Sequence, residues 1–182
     1  MILGLISDTH GILRPEAVAA LQGADRILHA GDIGDPKILD NLAEIAPVIA
    51  VRGNIDTQPW SRTLPETELV EVQGVTIYIL HDRSKLDLKP EAAGIAAVIS
   101  GHSHQPKIEE INGVLYINPG SAGPRRFSLP ISVGKLQIQK IGCSRPAART
   151  SRLSYPPAIA PITTNGSFPD ATASGNKSSG AA

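Results

Sequence analysis

The segment ISDTHG, residues 6–11, sets Asp8 two residues before His10, directly behind the apolar run ILGLI. Carboxylate oxygen and imidazole nitrogen both bind divalent cations, yet Asp and Gly also begin and end turns, so one D-x-H pair leaves both readings open. The same chemistry recurs behind other apolar runs. Asp32 follows RILHAG, Asn54 and Asp56 follow VIAVRG, and His81 follows VTIYIL. His102 and His104 follow IAAVISG, and Asn118 follows VLYI. In open α/β sheets, groups at the carboxyl ends of the strands converge on one crevice. A turn accounts for each segment singly, whereas a shared crevice accounts for them all. Of the five histidines only His29 lies inside its run, where it reads as a core histidine with satisfied nitrogens. Oxygen and imidazole donors without thiolate suit manganese, iron, zinc, cobalt or nickel.

Periodicity supplies the elements that must position these groups. Runs at 2–6, 27–29, 48–51, 75–80, 95–99 and 114–117 are short and β-branched, as strands buried on both faces are. A further strand region is expected within 131–141. One helix is predicted to open at Pro15, turn Val18 and Leu21 inward and end at Gly23. A second is capped by Asp35, opens at Pro36 and carries Ile38, Leu39, Leu42, Ile45 and Ala46 at helical spacing. Asn112-Gly113 predicts a type I′ hairpin. Strand, helix, strand and later hairpins define a layered α/β domain over residues 1–143.

The bulk composition limits what that domain can be. The chain has 182 residues, 41% of them hydrophobic, and no apolar run of membrane-span length, which predicts one globular domain. No basic segment precedes ILGLI, so no secretory leader is expected. The single cysteine, Cys143, excludes an internal disulfide and a Cys-rich metal site, and points to a cytoplasmic location. Residues 1–143 carry 13 Lys and Arg against 16 Asp and Glu. Such a mildly acidic body predicts neither a nucleic-acid-binding surface nor a membrane partner. The oligomeric state stays open. Residues 144–182 are rich in Ser, Ala, Thr, Pro and Gly without an apolar period, and read as a disordered tail. A short docking segment at 153–162 is the alternative.

D-x-H at 8–10, G-D at 31–32, G-N-x-D at 53–56, His81, G-H-x-H at 101–104 and N-P-G-S at 118–121 occur in that order. The set resembles the calcineurin-like metallophosphoesterase superfamily, and residues 1–141 are similar to its small single-domain prokaryotic phosphodiesterase branch. The resemblance implies a layered α/β/β/α sandwich and a phosphoesterase dependent on two divalent ions, manganese foremost. Asp8, His10, Asp32 and His104 would hold one ion. Asp32, Asn54, His81 and His102 would hold the other, with Asp32 bridging. Asp32 and Asn54 would thus be catalytic as metal-bound groups. Two ions sharing a hydroxide suit in-line attack on a small phosphate ester, a diester before a monoester.

Other residues carry two readings each. Asp56 would fix a ligand's orientation or serve as a turn residue. Arg125 and Arg126 would bind the substrate phosphate, or form a solvated surface pair. Trp60 would line the pocket rim or join a satellite core cluster. Two positions depart from the family's pattern. Ile55 stands where many relatives have a histidine thought to assist the leaving group, and Asp82 follows His81 where many have glycine. The competing reading is a protein-interaction scaffold like the retromer subunit of this fold, with little or no catalysis; retention of every ligand type favours the enzyme. A serine hydrolase built on Ser103 or Ser121 lacks G-x-S-x-G, and no P-loop occurs.

Overall fold

The first strand, β1 (Ile2–Ile6), is covered on both faces, and its alternation shows how the layers stack. Leu3 and Leu5 enter the core between two sheets, while Ile6 packs with Ala17, Leu21 and Leu42 under the helices. The computed structural model describes residues 1–126 and 128–139, with the backbone of Arg152–Ser154 and Ile159–Pro161.

Beside β1 lie β2 (Arg26–His29) and β3 (Val48–Ala50), each parallel to its neighbour. The second sheet is built from β4 (Thr67–Val72), β5 (Val75–Leu80), β6 (Ile95–Ile99), β7 (Lys107–Ile111) and β8 (Val114–Asn118). Its order is β4-β5-β6-β8-β7, with the three inner strands parallel and both edges antiparallel. The chain then returns to the first sheet as β9 (Ser132–Gln139), antiparallel to β1. Leu28, Ile77, Ile79, Ile99, Ile117, Leu136 and Ile138 join Leu3 and Leu5 between the sheets. Each such side chain contributes roughly 1.5–3 kcal/mol when fully buried.

The helices are α1 (Pro15–Leu21) and α2 (Lys37–Ala43), both packed on the first sheet. Pro15 opens α1 as the sequence predicts, and Gly23 just beyond it takes φ 77°. The Asp35 carboxylate accepts from the Lys37 N–H at 2.9 Å at the start of α2. On the second sheet the outer layer is not an α-helix. Residues 81–94 hold one short 3-10 turn, Arg83–Lys85, and Leu86 and Leu88 pack there on Tyr78, Leu80 and Val98. Two leucines two residues apart suit an extended cover rather than a helical one.

One strand stands outside the apolar runs read from the sequence. β4 lacks an apolar run because it is an edge strand that buries one face, with Val70 and Val72 inside and Leu69 56% exposed. Of the tail expected to be disordered over 144–182, only two short strands are described. β10 (Arg152–Ser154) and β11 (Ile159–Pro161) both pair antiparallel with the outer edge of β9. An unpaired strand edge offers a row of donors and acceptors that outweighs a weak local pattern. The rest of that tail lies outside the described residues.

Candidate metal centre

The loops that follow the strands are zipped to each other by backbone hydrogen bonds. The N–H groups of Asp8, His10 and Gly11 donate to the carbonyls of Gly31, Asp32 and Ile33, so pairing continues past the ends of β1 and β2. Gly101 N–H donates to the His81 carbonyl, and Gly123 N–H to the Asp8 carbonyl. Both sheets therefore meet at one end. Close approach is a condition of that meeting: a Cβ at Gly53 would strike Asp32, and one at Gly101 would strike Ser7.

The side chains that these loops carry converge. Asp8 Oδ1 lies 3.3 Å from His104 Nε2, and His104 Nε2 lies 3.4 Å from His10 Nε2. Asp32 turns its two oxygens to different histidines, Oδ2 to His10 Nε2 at 3.7 Å and Oδ1 to His81 Nε2 at 3.3 Å. Asn54 Oδ1 stands 3.1 Å from His81 Nε2 and 3.0 Å from His102 Nδ1. All seven ligand candidates read from the sequence are thus in one cluster. Asp8, His10 and His104 together can hold a cation, as can Asp8, Asp32 and His81.

Three features show what the cluster is built for. Asp8, His10, Asp32, His102 and His104 have φ between 47° and 67°, five of the seven non-glycine residues in that region among those described. The other two, Gln73 and Asn112, sit in hairpin turns. Left-handed backbone costs on the order of 1–3 kcal/mol per residue and persists where a site over-determines it. Secondly, Asp8 Oδ1 and His104 Nδ1 are buried without a hydrogen-bond partner among the described residues. A bound cation would satisfy the carboxylate oxygen, so the residues fit a metal. Thirdly, the His81 Nδ1–H donates to the Ala30 carbonyl at 2.7 Å, which leaves Nε2 as the donor atom facing Asp32 and Asn54.

Electrostatics follow from this crowding. Burial pushes Asp8 up to about 6, against the hydrogen bond from Ser7. Burial lowers His10 and takes His104 to about 4, helped in both by the positive charge of Arg126. Burial would also lower His81, but the hydrogen bonds to Asp32 and the Ala30 carbonyl outweigh it and raise its pKa. Burial opposes ionisation of Asp32, yet His81 and the Ile55 N–H hold its pKa below the usual range.

The remaining candidates fall into place by contact. Asp56 acts on the ligand candidates by charge, its carboxylate favouring the charged form of His10. Its carboxylate accepts from the N–H groups of Ile33, Gly34 and Gly53, tying the Asp32 loop to the Asn54 loop. Arg126 is exposed with its charge felt at His10 and His104, and Arg125 beside it is exposed. Trp60 packs on the helix-side core. Asn118 is a brace, its Nδ2 donating to the Gly101 carbonyl at 2.6 Å and to Ser103 Oγ at 3.0 Å.

Sequence reasoning missed two supports. Ser7 Oγ donates to Asp8 Oδ2 at 2.7 Å. His29 Nδ1 accepts from Gly31 N–H, its Nε2–H donates to Thr9 Oγ1 at 3.0 Å, and Thr9 donates to the Ile33 carbonyl. His29 is the satisfied core residue expected, and it also links the Asp8 and Asp32 loops. The sequence signal was its place two residues before G-D.

Fold and donor set define an α/β sandwich with a metal-type site where its two sheets meet. The calcineurin-like phosphoesterase superfamily domain matches residues 1–140. A probable metallophosphoesterase of Methanocaldococcus jannaschii is 38% identical over 152 residues, covering 76% of this chain and 77% of that one. The phosphodiesterase YfcE of Escherichia coli is 26% identical, over 75% of this chain and 87% of its own. Among solved structures, Vps29 from Entamoeba histolytica superimposes with a TM-score of 0.63 at 25% identity, over 76% of this chain and 86% of that chain. The chain belongs to the calcineurin-like phosphoesterase superfamily, a metal-dependent family.

Proposed function

We propose that the protein is a phosphodiesterase that works with two divalent metal ions, manganese foremost, on a small phosphate ester. The observation that carries this reading is the split of Asp32, one oxygen toward His10 and the other toward His81. Asp8, His10 and His104 would complete one ion's ligands, and Asn54, His81 and His102 the other's. Bound there, the ions would lower the pKa of a shared water and neutralise charge on the phosphoryl group.

The chain's own groups prepare that chemistry. His81 presents Nε2 because its other nitrogen is committed to Ala30. Asn54 ligates without adding negative charge, which an anionic substrate would oppose. Arg126 adds positive charge on the His10 side. A diester is favoured over a monoester by shape. Two clefts meet at Asp82, one of about 430 Å³ reaching Asn54 and His81, the other of about 170 Å³ reaching His102. A phosphorus bearing two substituents can place one in each.

The scaffold reading rests on the fold likeness to Vps29. Metal analysis of the purified protein, with hydrolysis of bis(4-nitrophenyl) phosphate after loading with each candidate metal, separates the two. About two ions per chain and turnover are expected. A protein that binds metal but hydrolyses neither diesters nor monoesters would overturn the enzyme in favour of the scaffold.

A further inference from the structure

The smaller cleft, beside His102, contains a stack that the metal centre does not use. The Arg83 guanidinium carbon lies 4.1 Å from the centre of the Tyr116 ring. Arg83 Nη1 also donates to Glu109 Oε1 in a short contact, and Lys107 Nζ is 2.8 Å from Glu109 Oε2. The guanidinium is therefore seated over an aromatic face and fixed in direction by a carboxylate. Its side chain remains 38% exposed and lines the cleft together with Tyr116.

Resting on the phosphodiesterase reading, we propose that this cleft binds a planar aromatic substituent of the substrate, stacked on the open face of Arg83. A guanidinium already stacked on one ring offers its second face to another, which an ammonium cannot do. Charge argues against a further phosphate in the same place. Asp82 and Glu109 balance Arg83 and Lys107 along the walls, so the cleft does not select an anion. Size points the same way. A cavity of roughly 150 Å³ holds one benzene ring, and this one is about 170 Å³. His102 lines the cleft as well, so a ring bound there lies beside one of the ligands proposed for the metal centre. The substrate class is thus a diester in which one alcohol carries a ring, either an aryl ester or a nucleotide.

The test uses the manganese-loaded full chain hydrolysing bis(4-nitrophenyl) phosphate, with methyl phosphate, phenyl phosphate and uridine 3′-phosphate as competing inhibitors. Phenyl phosphate is expected to inhibit at about tenfold lower concentration than methyl phosphate, in line with stacking of one ring. Uridine 3′-phosphate distinguishes a nucleotide substrate from an aryl ester by whether it matches or falls short of phenyl phosphate. Arg83→Lys keeps the charge and loses the plane, so the ratio of methyl to phenyl inhibition constants should fall toward one. Glu109→Gln, which frees the guanidinium, should lower the same ratio and serves if the lysine variant does not fold. Tyr116→Phe should preserve it. Equal inhibition by methyl and phenyl phosphate in the unaltered protein, or an undiminished ratio in Arg83→Lys, overturns the aromatic subsite while leaving the phosphodiesterase standing. Absence of any hydrolysis in the unaltered protein overturns both.

Discussion

At the scale of single residues, Asp32 and Ile55 carry the sharpest consequences. Asp32 faces both halves of the cluster, so Asp32→Ala should lose nearly all activity and most bound metal while the fold is retained. Metal content by mass spectrometry, read beside circular dichroism, checks this; two ions still tightly bound would refute the bridging role. Ile55 stands 38% exposed and touches the centre through its backbone, its N–H donating to Asp32 Oδ1 at 3.1 Å. A hydrocarbon side chain cannot donate a proton, and a placed general acid contributes typically about 10²–10⁴-fold. Hydrolysis of aryl diesters should therefore slow steeply as the leaving phenol's pKa rises, and Ile55→His should flatten the trend. The slope of log kcat/KM against leaving-group pKa is the measurement. A flat slope in the unaltered protein, with chemistry rate-limiting, would mean that another residue supplies the proton.

At the scale of elements, legibility in the sequence followed burial. β1, β5, β6 and β8 are buried on both faces and announced themselves as β-branched runs, and the groups just behind such runs were legible as a site. The supports were not, because Ser7, Thr9 and His29 act through backbone carbonyls and neighbours from other strands. Asp56 was legible as a helper, and its hydrogen bonds run to three backbone N–H groups. β4 was hidden by its polar face, and β10 and β11 by a composition that favours disorder. Their pairing with β9 gives a prediction. Truncation after Ile141 should keep catalysis within a few-fold, since the metal centre draws on loops from both sheets and none from β10 or β11. It should also expose the β9 edge and promote association between chains. Size-exclusion chromatography of the truncated protein checks this, and a strictly unchanged elution volume across concentration would count against the edge-covering role.

At the scale of the whole molecule, buried titratable groups set how the metal-free protein responds to acid. Burial, aided by the charge of His81, takes His29 down to about 3, and burial takes His104 to about 4. The unfolded chain binds protons at these histidines near pH 6.5 that the folded chain refuses, so stability should fall as pH drops below that value. For His29 the slope is at most about 1.4 kcal/mol per pH unit. Asp8 acts in the opposite sense. Its folded pKa is raised to about 6, so its contribution is present below the ordinary carboxylate value and is lost as pH rises through 6. Acidification from 6 toward 4 thus regains part of what the histidines lose. Urea midpoints between pH 4 and 7 should decline, and more shallowly in His29→Gln; an equal slope in that variant would show that His29 is not held neutral.

The same molecule-wide view bears on the order of assembly. β1 precedes the other strands described, yet it lies between β2 and β9, and Met1 exchanges hydrogen bonds with Ile138. The second sheet, residues 67–118, is contiguous in the chain and can gather locally. The central seam of the first sheet cannot close until β9 has left the ribosome, and contacts of such long sequence separation make folding slow. Throughout that interval one edge of β1 stays open. The Asp8 and His10 loop that β1 carries bonds first to residues 31–33 and gains its last anchors, Gly123 and Ser121 on the Asp8 carbonyl, only when the end of the domain arrives. A half-made chain therefore holds most of its ligand residues before it holds a site.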